Sequence, residues 1–248
     1  MNLILKNLLF SLFCVFPYMV ANAFPTYDMS EDLIKSSHTR SKYYLTSSFF
    51  DFGVGYQEFI EKADKTKGIV VHSHGCGGVK RDEDEIKSFY TKLGLYVVIL
   101  DFHKRGDAGP SCVVTNGVHT YFGSIFSRIP PRVAELQNHV NRLREHGFER
   151  IYLTGHSEGG MVVQNFPDEV SGIVIHSMLC IPSQANNLKN RYLHLVSLND
   201  PFLNRPGVSH VCHHRPNYTT VTSRVSSHGP FADSSWPEKI KDFLGIDI

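Results

Sequence analysis

The sequence predicts one α/β domain of three layers, with helices packed on both faces of a mostly parallel sheet. Two observations carry this. From Asp64 onward, short β-branched runs alternate with amphipathic stretches, the order in which strands and crossover helices follow one another. Several of those runs are apolar throughout, as strands covered on both faces are, rather than apolar at every second residue. No Ser/Pro/Gly linker or internal repeat divides the chain.

The elements follow in order. Between Asn7 and Val20 lies an apolar stretch, broken by Ser11 and Pro17, with Lys6 before it and Ala21-Asn22-Ala23 after it. A charged start, a short apolar middle and an A-x-A end describe a cleaved export signal over residues 1–23. The stretch is shorter than the roughly 20 residues that span a bilayer, so no stable membrane anchor is expected after cleavage. The domain then runs over 24–248, and its destination is a periplasm or the exterior. Tyr43 to Val54 reads as one or two antiparallel edge strands. Gly68 to Ser73 is a strand, Asp82 to Leu93 a helix with Ile86, Phe89, Tyr90 and Leu93 inward, and Leu95 to Leu100 a strand. Pro130-Pro131 suits the first turn of a helix reaching Glu145, with Val133, Leu136, Val140 and Leu143 inward. Strands follow at Arg150 to Thr154, Gly172 to His176, Tyr192 to Ser197 and Thr219 to Val225, with helices from Glu158 and over Trp236 to Leu244.

Composition narrows the function. Of the 248 residues, 42% are apolar and 20% charged, and the net charge is +1. This is a globular balance, which excludes a disordered tail, a collagen-like repeat and a coiled coil. It also leaves no Lys/Arg surplus for phosphate, which argues against a nucleic-acid partner. Five cysteines are present, and Cys14 would leave with the export signal. Cys76, Cys112, Cys180 and Cys212 in an oxidising compartment suggest two disulfides, with three pairings open.

The sharpest motif is Gly155-His156-Ser157-Glu158-Gly159-Gly160, which follows a strand and opens a helix. That context makes G-x-S-x-G a nucleophile elbow, in which a tight turn holds the serine strained and exposed above the sheet. A serine hydroxyl needs a base, and the base an orienting acid. With such an elbow the partners follow as serine, acid, histidine. Asp200, just past the Tyr192–Ser197 run, fits the acid, and His228, after the last strand, fits the base. The developing oxyanion needs backbone N–H donors. One is expected from Glu158, the other from Cys76 (with Gly77 the second choice) in His74-Gly75-Cys76-Gly77-Gly78.

Other groupings carry less. His210, Cys212, His213 and His214 could ligate a metal, but no second cluster supports a site, so none is assigned and no cofactor is expected. Asp101 and Arg105 are read as bracing a loop behind the site, and His72, His176 and His194 as packing histidines inside strands. Tyr121, Phe122 and Phe126 fall in a loop that could line a pocket, and loops such as Ala108 to Arg128 and Pro201 to Pro216 would set specificity.

HGCGG after a strand, then Asp101 to Gly106 with Cys112, then GHSEGG, then a late Asp and His, resemble the dienelactone hydrolase-like branch of the α/β-hydrolase superfamily. The likeness covers roughly Gly68 to Phe243. It implies the α/β-hydrolase fold with an eight-stranded sheet, and hydrolysis of a small ester or lactone without a cofactor. Ser157, Asp200 and His228 carry over as the triad. Dienelactone hydrolases proper use cysteine as nucleophile, so Ser157 is a departure that resembles exported, general esterase-like members. The family's strand order further implies Cys76–Cys112 and Cys180–Cys212 as the disulfides. The expected activity is that of a serine carboxylesterase. A peptidase or amidase with the same triad, and a binding protein without turnover, are the rivals.

Overall fold

The computed structural model describes residues 43–46, 56–104, 112–115, 118–121, 125–178, 189–203 and 216–246. The export signal, Arg105, Phe122, Cys180, His210, Cys212, His213 and His214 lie outside the described residues.

The strands are β1 (Tyr43–Thr46), β2 (Ile69–Ser73), β3 (Tyr96–Leu100), β4 (Cys112–Thr115), β5 (Val118–Tyr121), β6 (Ile151–His156), β7 (Gly172–His176), β8 (Tyr192–Ser197) and β9 (Tyr218–Ser223). The helices are α1 (Tyr56–Lys62), α2 (Arg81–Lys92), α3 (Ile125–Glu145), α4 (Glu158–Gln164) and α5 (Trp236–Leu244). Seven strands form the main sheet in the order β1-β3-β2-β6-β7-β8-β9. Where eight strands were expected, seven are present among the described residues. Only β1 runs antiparallel, pairing Tyr43 with Leu100 at the sheet edge, and the other six are parallel.

Every residue of β2, β3, β6, β7 and β8 is buried, which is why these runs are apolar throughout. The edge strand β9 is half-exposed and accordingly rich in threonine. The core divides into two layers. Phe59 and Ile60 of α1, Leu136, Val140 and Leu143 of α3, and Met161 to Val163 of α4 cover one face. Ile86, Tyr90 and Leu93 on α2, with Trp236, Ile240 and Leu244 of α5, cover the other. Among the described residues no helix is long and apolar enough to cross a membrane.

Two boundaries differ from expectation. α3 starts at Ile125, not at the prolines, so Pro130 and Pro131 lie inside it and remove two ladder donors. Phe126 therefore belongs to a helix. Where a plain loop was expected, Cys112–Thr115 and Val118–Tyr121 pair as β4 and β5, with Cys112 opposite Tyr121.

The topology positions the site. The chain passes from β2 outward to β3 and later returns to the opposite side of β2 as β6. Such a reversal opens a crevice beyond the carboxyl ends of the strands. The loop after β2 and the turn after β6 flank that crevice, and the loops after β8 and β9 lie along the same edge.

Candidate active site

The turn after β6 is built by what it excludes. Ser157 sits between β6 and α4 with φ 54° and ψ −121°, a conformation that L-residues with a side chain rarely hold. A Cβ on Gly155 would overlap the Gly159 carbonyl, and one on Gly159 would overlap the Ser73 carbonyl. Glycine two residues before and two after the serine is therefore a packing requirement, as an elbow demands. The Ser157 N–H donates to the His176 carbonyl at 3.0 Å, and the Gly160 N–H donates back to the Ser157 carbonyl at 2.8 Å. These bonds hold the strained residue in place.

Asp200 and His228 are brought together. His228 Nδ1 lies 2.6 Å from Asp200 Oδ2, and the carboxylate is fully buried. A carboxylate only accepts, so Nδ1 carries the proton and Nε2 is the basic nitrogen. Asp200 Oδ1 is occupied by the N–H groups of Phe202 (2.8 Å) and Leu203 (3.3 Å). Both oxygens thus have assigned donors, and the acid cannot turn away from the ring. The Phe202 ring stands edge-on to His228 at 4.9 Å. The sequence Asn199-Asp200-Pro201 also forms the turn its composition suggests, and the same carboxylate serves both purposes.

The loop after β2 closes through the Gly78 N–H, which donates to the Gly75 carbonyl at 3.3 Å, with Gly78 at φ 84°. A Cβ built on Gly75 would lie 3.4 Å from the Ser157 Cβ, so this loop runs directly beside the serine. Cys76 is buried and joined to Cys112, whose N–H also donates to the Cys76 carbonyl at 3.3 Å. The Cys180–Cys212 pairing lies outside the described residues. Asp101 Oδ1 accepts the His103 N–H at 3.2 Å, which braces the turn after β3.

Several residues at this site were not singled out from the sequence. Arg132 of α3 is buried behind the elbow, its Nη1 2.7 Å from Glu158 Oε1, its Nη2 donating to the His74 carbonyl. Its guanidinium lies 4.3 Å from the centre of the Phe102 ring. One cation thereby ties the residue after Ser157 to the start of the Gly75–Gly78 loop. His74 Nε2 accepts the Phe102 N–H at 3.1 Å, so Nδ1 is protonated and donates to the Gly75 carbonyl at 2.6 Å. Burial and the neighbouring Arg132 hold this ring well below the usual histidine range, in keeping with a neutral side chain. The available signal was a charged residue in the apolar stripe of α3, one turn before Leu136.

Two of the histidines read as packing residues, His176 and His194, make specific bonds. His176 Nδ1 lies 2.6 Å from the Pro230 carbonyl, and His194 Nε2 contacts the Met178 carbonyl. His72 sits 3.8 Å from Glu83. His156 Nε2, missed in the sequence, lies 2.6 Å from the His228 carbonyl. Burial pulls His156 down to about 4, with His228 adding to it, and pulls His176 down to about 3, with His156 adding to it. Among the described residues no cluster of His, Cys, Asp and Glu can hold a metal ion.

No family model matches the sequence, and no curated protein matches it. Solved structures do share its architecture. A Klebsiella pneumoniae protein named after the dienelactone hydrolases superposes with TM-score 0.53 at 15% identity, covering 75% of this chain and 89% of its own. Est1E from Butyrivibrio proteoclasticus, solved with ferulic acid bound, superposes with TM-score 0.54 at 12% identity, covering 82% and 94%. With a mostly parallel sheet, a glycine-flanked strained serine after β6 and these structural neighbours, the chain has the α/β-hydrolase fold.

Proposed function

We propose that this protein is a serine hydrolase of small carboxylic esters or lactones, acting through Ser157, His228 and Asp200. The observation that carries the proposal is the 2.6 Å bond from His228 Nδ1 to the buried Asp200, which orients a basic nitrogen at the strand edge that also holds the strained Ser157. The structural neighbours, among them a protein named after the dienelactone hydrolases and Est1E solved with ferulic acid, support an ester or lactone as the substrate class.

In this reading His228 Nε2 takes the Ser157 proton while the serine oxygen attacks the ester carbonyl carbon. The N–H groups of Cys76 (or Gly77) and Glu158 receive the oxyanion, each donor lowering the barrier by about 3 kcal/mol. The tetrahedral intermediate expels the alcohol, which takes the proton from His228. Water, deprotonated by the same ring, then attacks the acyl-enzyme, the acid departs and Ser157 recovers its proton. Asp200 accepts from His228 Nδ1 throughout and stabilises the imidazolium. None of these steps calls for a cofactor.

Export is part of the proposal. The Cys76–Cys112 bridge supports an oxidising destination, since structural disulfides persist there and not in a reducing cytosol.

The test is turnover of a p-nitrophenyl ester series of graded acyl length by the wild type and by Ser157→Ala. The variant should lose more than about 10³-fold in kcat while keeping the wild-type melting profile. A fluorophosphonate probe should label the wild type at Ser157 only. Retained turnover in the variant refutes the mechanism, cleavage of peptides in preference to esters moves the assignment to a peptidase, and no labelling identifies a binding protein.

A further inference from the structure

We infer that His156, together with Ser177 and His176, is a positioning residue that sets the place of the His228 ring by gripping three consecutive backbone carbonyls of its loop. The inference rests on the serine-hydrolase reading and names residues outside the triad and the oxyanion donors. His156 Nε2 lies 2.6 Å from the His228 carbonyl, Ser177 Oγ donates to the Gly229 carbonyl at 3.1 Å, and His176 Nδ1 lies 2.6 Å from the Pro230 carbonyl. A carbonyl only accepts, so each facing ring nitrogen carries the proton. Three successive peptide units are thus held by three side chains, all from the ends of β6 and β7.

The arrangement has a purpose that packing alone would not need. His228 stands on the segment after β9, which among the described residues pairs with β8 alone at the sheet edge. Near this segment's start Asn199 Nδ2 donates to the Arg224 carbonyl at 2.6 Å, and Ser197 Oγ donates to the Val225 carbonyl. These bonds stop short of the histidine. The ring of His228 is held by Asp200, and the backbone carbonyls of residues 228–230 are fixed against the elbow. His156 is the neighbour of Ser157 in sequence, and the Ser157 N–H is bonded to the His176 carbonyl. His156 and His176 are also register partners across β6 and β7. One pair of adjacent strand ends therefore holds the nucleophile by the backbone and the base loop by the side chains. The His156 and His228 rings lie 5.2 Å apart, so a shift of the clamp passes directly to the base.

Loss of a clamp bond leaves substrate contacts in place and misplaces only the proton acceptor. A displacement of about 1 Å between reacting groups can cost on the order of 10²-fold in rate. The signature is a fall in kcat with KM unchanged. The experiment compares His156→Phe, which keeps a buried ring without a donor, with His156→Gln, which restores one at similar reach. His156→Phe should lose about 10²-fold in kcat with KM within about twofold, and His156→Gln should recover at least about tenfold of it. Ser177→Gly removes the middle bond at a residue whose φ of 49° suits glycine, and should lower kcat about three- to tenfold. A folded His156→Phe enzyme with wild-type kcat overturns the inference. If His156→Phe does not fold, Ser177→Gly decides alone, and wild-type kcat there overturns it equally. Inactive Ser157→Ala beside an unaffected His156→Phe would sink the clamp and leave the hydrolase reading standing. An active Ser157→Ala would remove the reading itself.

Discussion

At the scale of single residues, the most demanding positions are the glycines around Ser157. Gly159 passes so close to the Ser73 carbonyl that even a methyl group has no space, and the obstruction is backbone of a central strand rather than a side chain that can swing aside. Gly159→Ala should therefore push α4 off β2 and destabilise the fold by about 3 kcal/mol or more, at the upper end of overpacking effects. For a chain of this size that is a fall of roughly 6–12 °C in melting temperature, accompanied by loss of probe labelling at Ser157. An alanine variant that melts and labels like the wild type would show that the elbow is looser than this packing implies. The same close approach explains why this motif was legible in the sequence: only glycine fits, so the spacing is written into the residue types. The acid and base were legible for a different reason, because chain order along a parallel sheet leaves few places for them. Arg132 and His156 were not legible. Their roles come from a guanidinium reaching the His74 carbonyl and an imidazole reaching the His228 carbonyl, contacts between segments far apart in sequence. A carbonyl acceptor has no side-chain signature.

At the scale of elements, the strands buried on both faces were read to within about two residues, because an unbroken apolar run has no other stable place in a sheet. The hairpin β4–β5 was missed. It pairs Cys112 with Tyr121 outside the main sheet, so no core face imposes a pattern on it. The start of α3 was misplaced because the prolines that suit a first helical turn lie one turn further in, where the loss of two donors is tolerated. The hairpin matters because Cys112 anchors the loop beside Ser157 through Cys76. The bridge closes a segment with a sequence separation of 36, which in the chain-entropy picture stabilises the folded state by about 4 kcal/mol. The Cys76→Ala/Cys112→Ala pair should melt roughly 8–16 °C lower than the oxidised wild type. Below that transition it should show reduced kcat, since the bridge restrains one expected oxyanion donor. Reduction of the wild type with a thiol should reproduce both effects. Unchanged melting after verified reduction would mean that Cys112 merely lies beside the loop without restraining it.

At the scale of the whole molecule, the buried histidines tie stability to pH. His156 and His176 are buried, and burial depresses them to about 4 and about 3, while His74 is held well below its usual range by burial and Arg132. In the unfolded chain each would titrate near 6.5. Between about pH 6.5 and pH 4 the unfolded state therefore binds more protons than the folded one, and stability rises with pH across that window. The contribution is fully present above 6.5 and is lost as the pH falls. Each buried ring changes the folding free energy by up to about 1 kcal/mol per pH unit there. Ordinary carboxylates titrate near 4, so a slope between pH 6.5 and pH 5 belongs chiefly to these histidines and to His103, which burial pulls down to about 4. Thermal unfolding at constant ionic strength should show the melting temperature level from pH 7.5 to 6.5, then falling by roughly 5–15 °C by pH 5. The variant His176→Gln removes one such ring and should flatten the slope, whatever it does to stability at neutral pH. A level profile down to pH 5 in the wild type would mean that these rings already accept protons in the folded state. The cause of the slope is also the cause of the geometry. The rings stay neutral because they are shut away from water, and shut away they can hold the loop of His228 against the strand that carries Ser157.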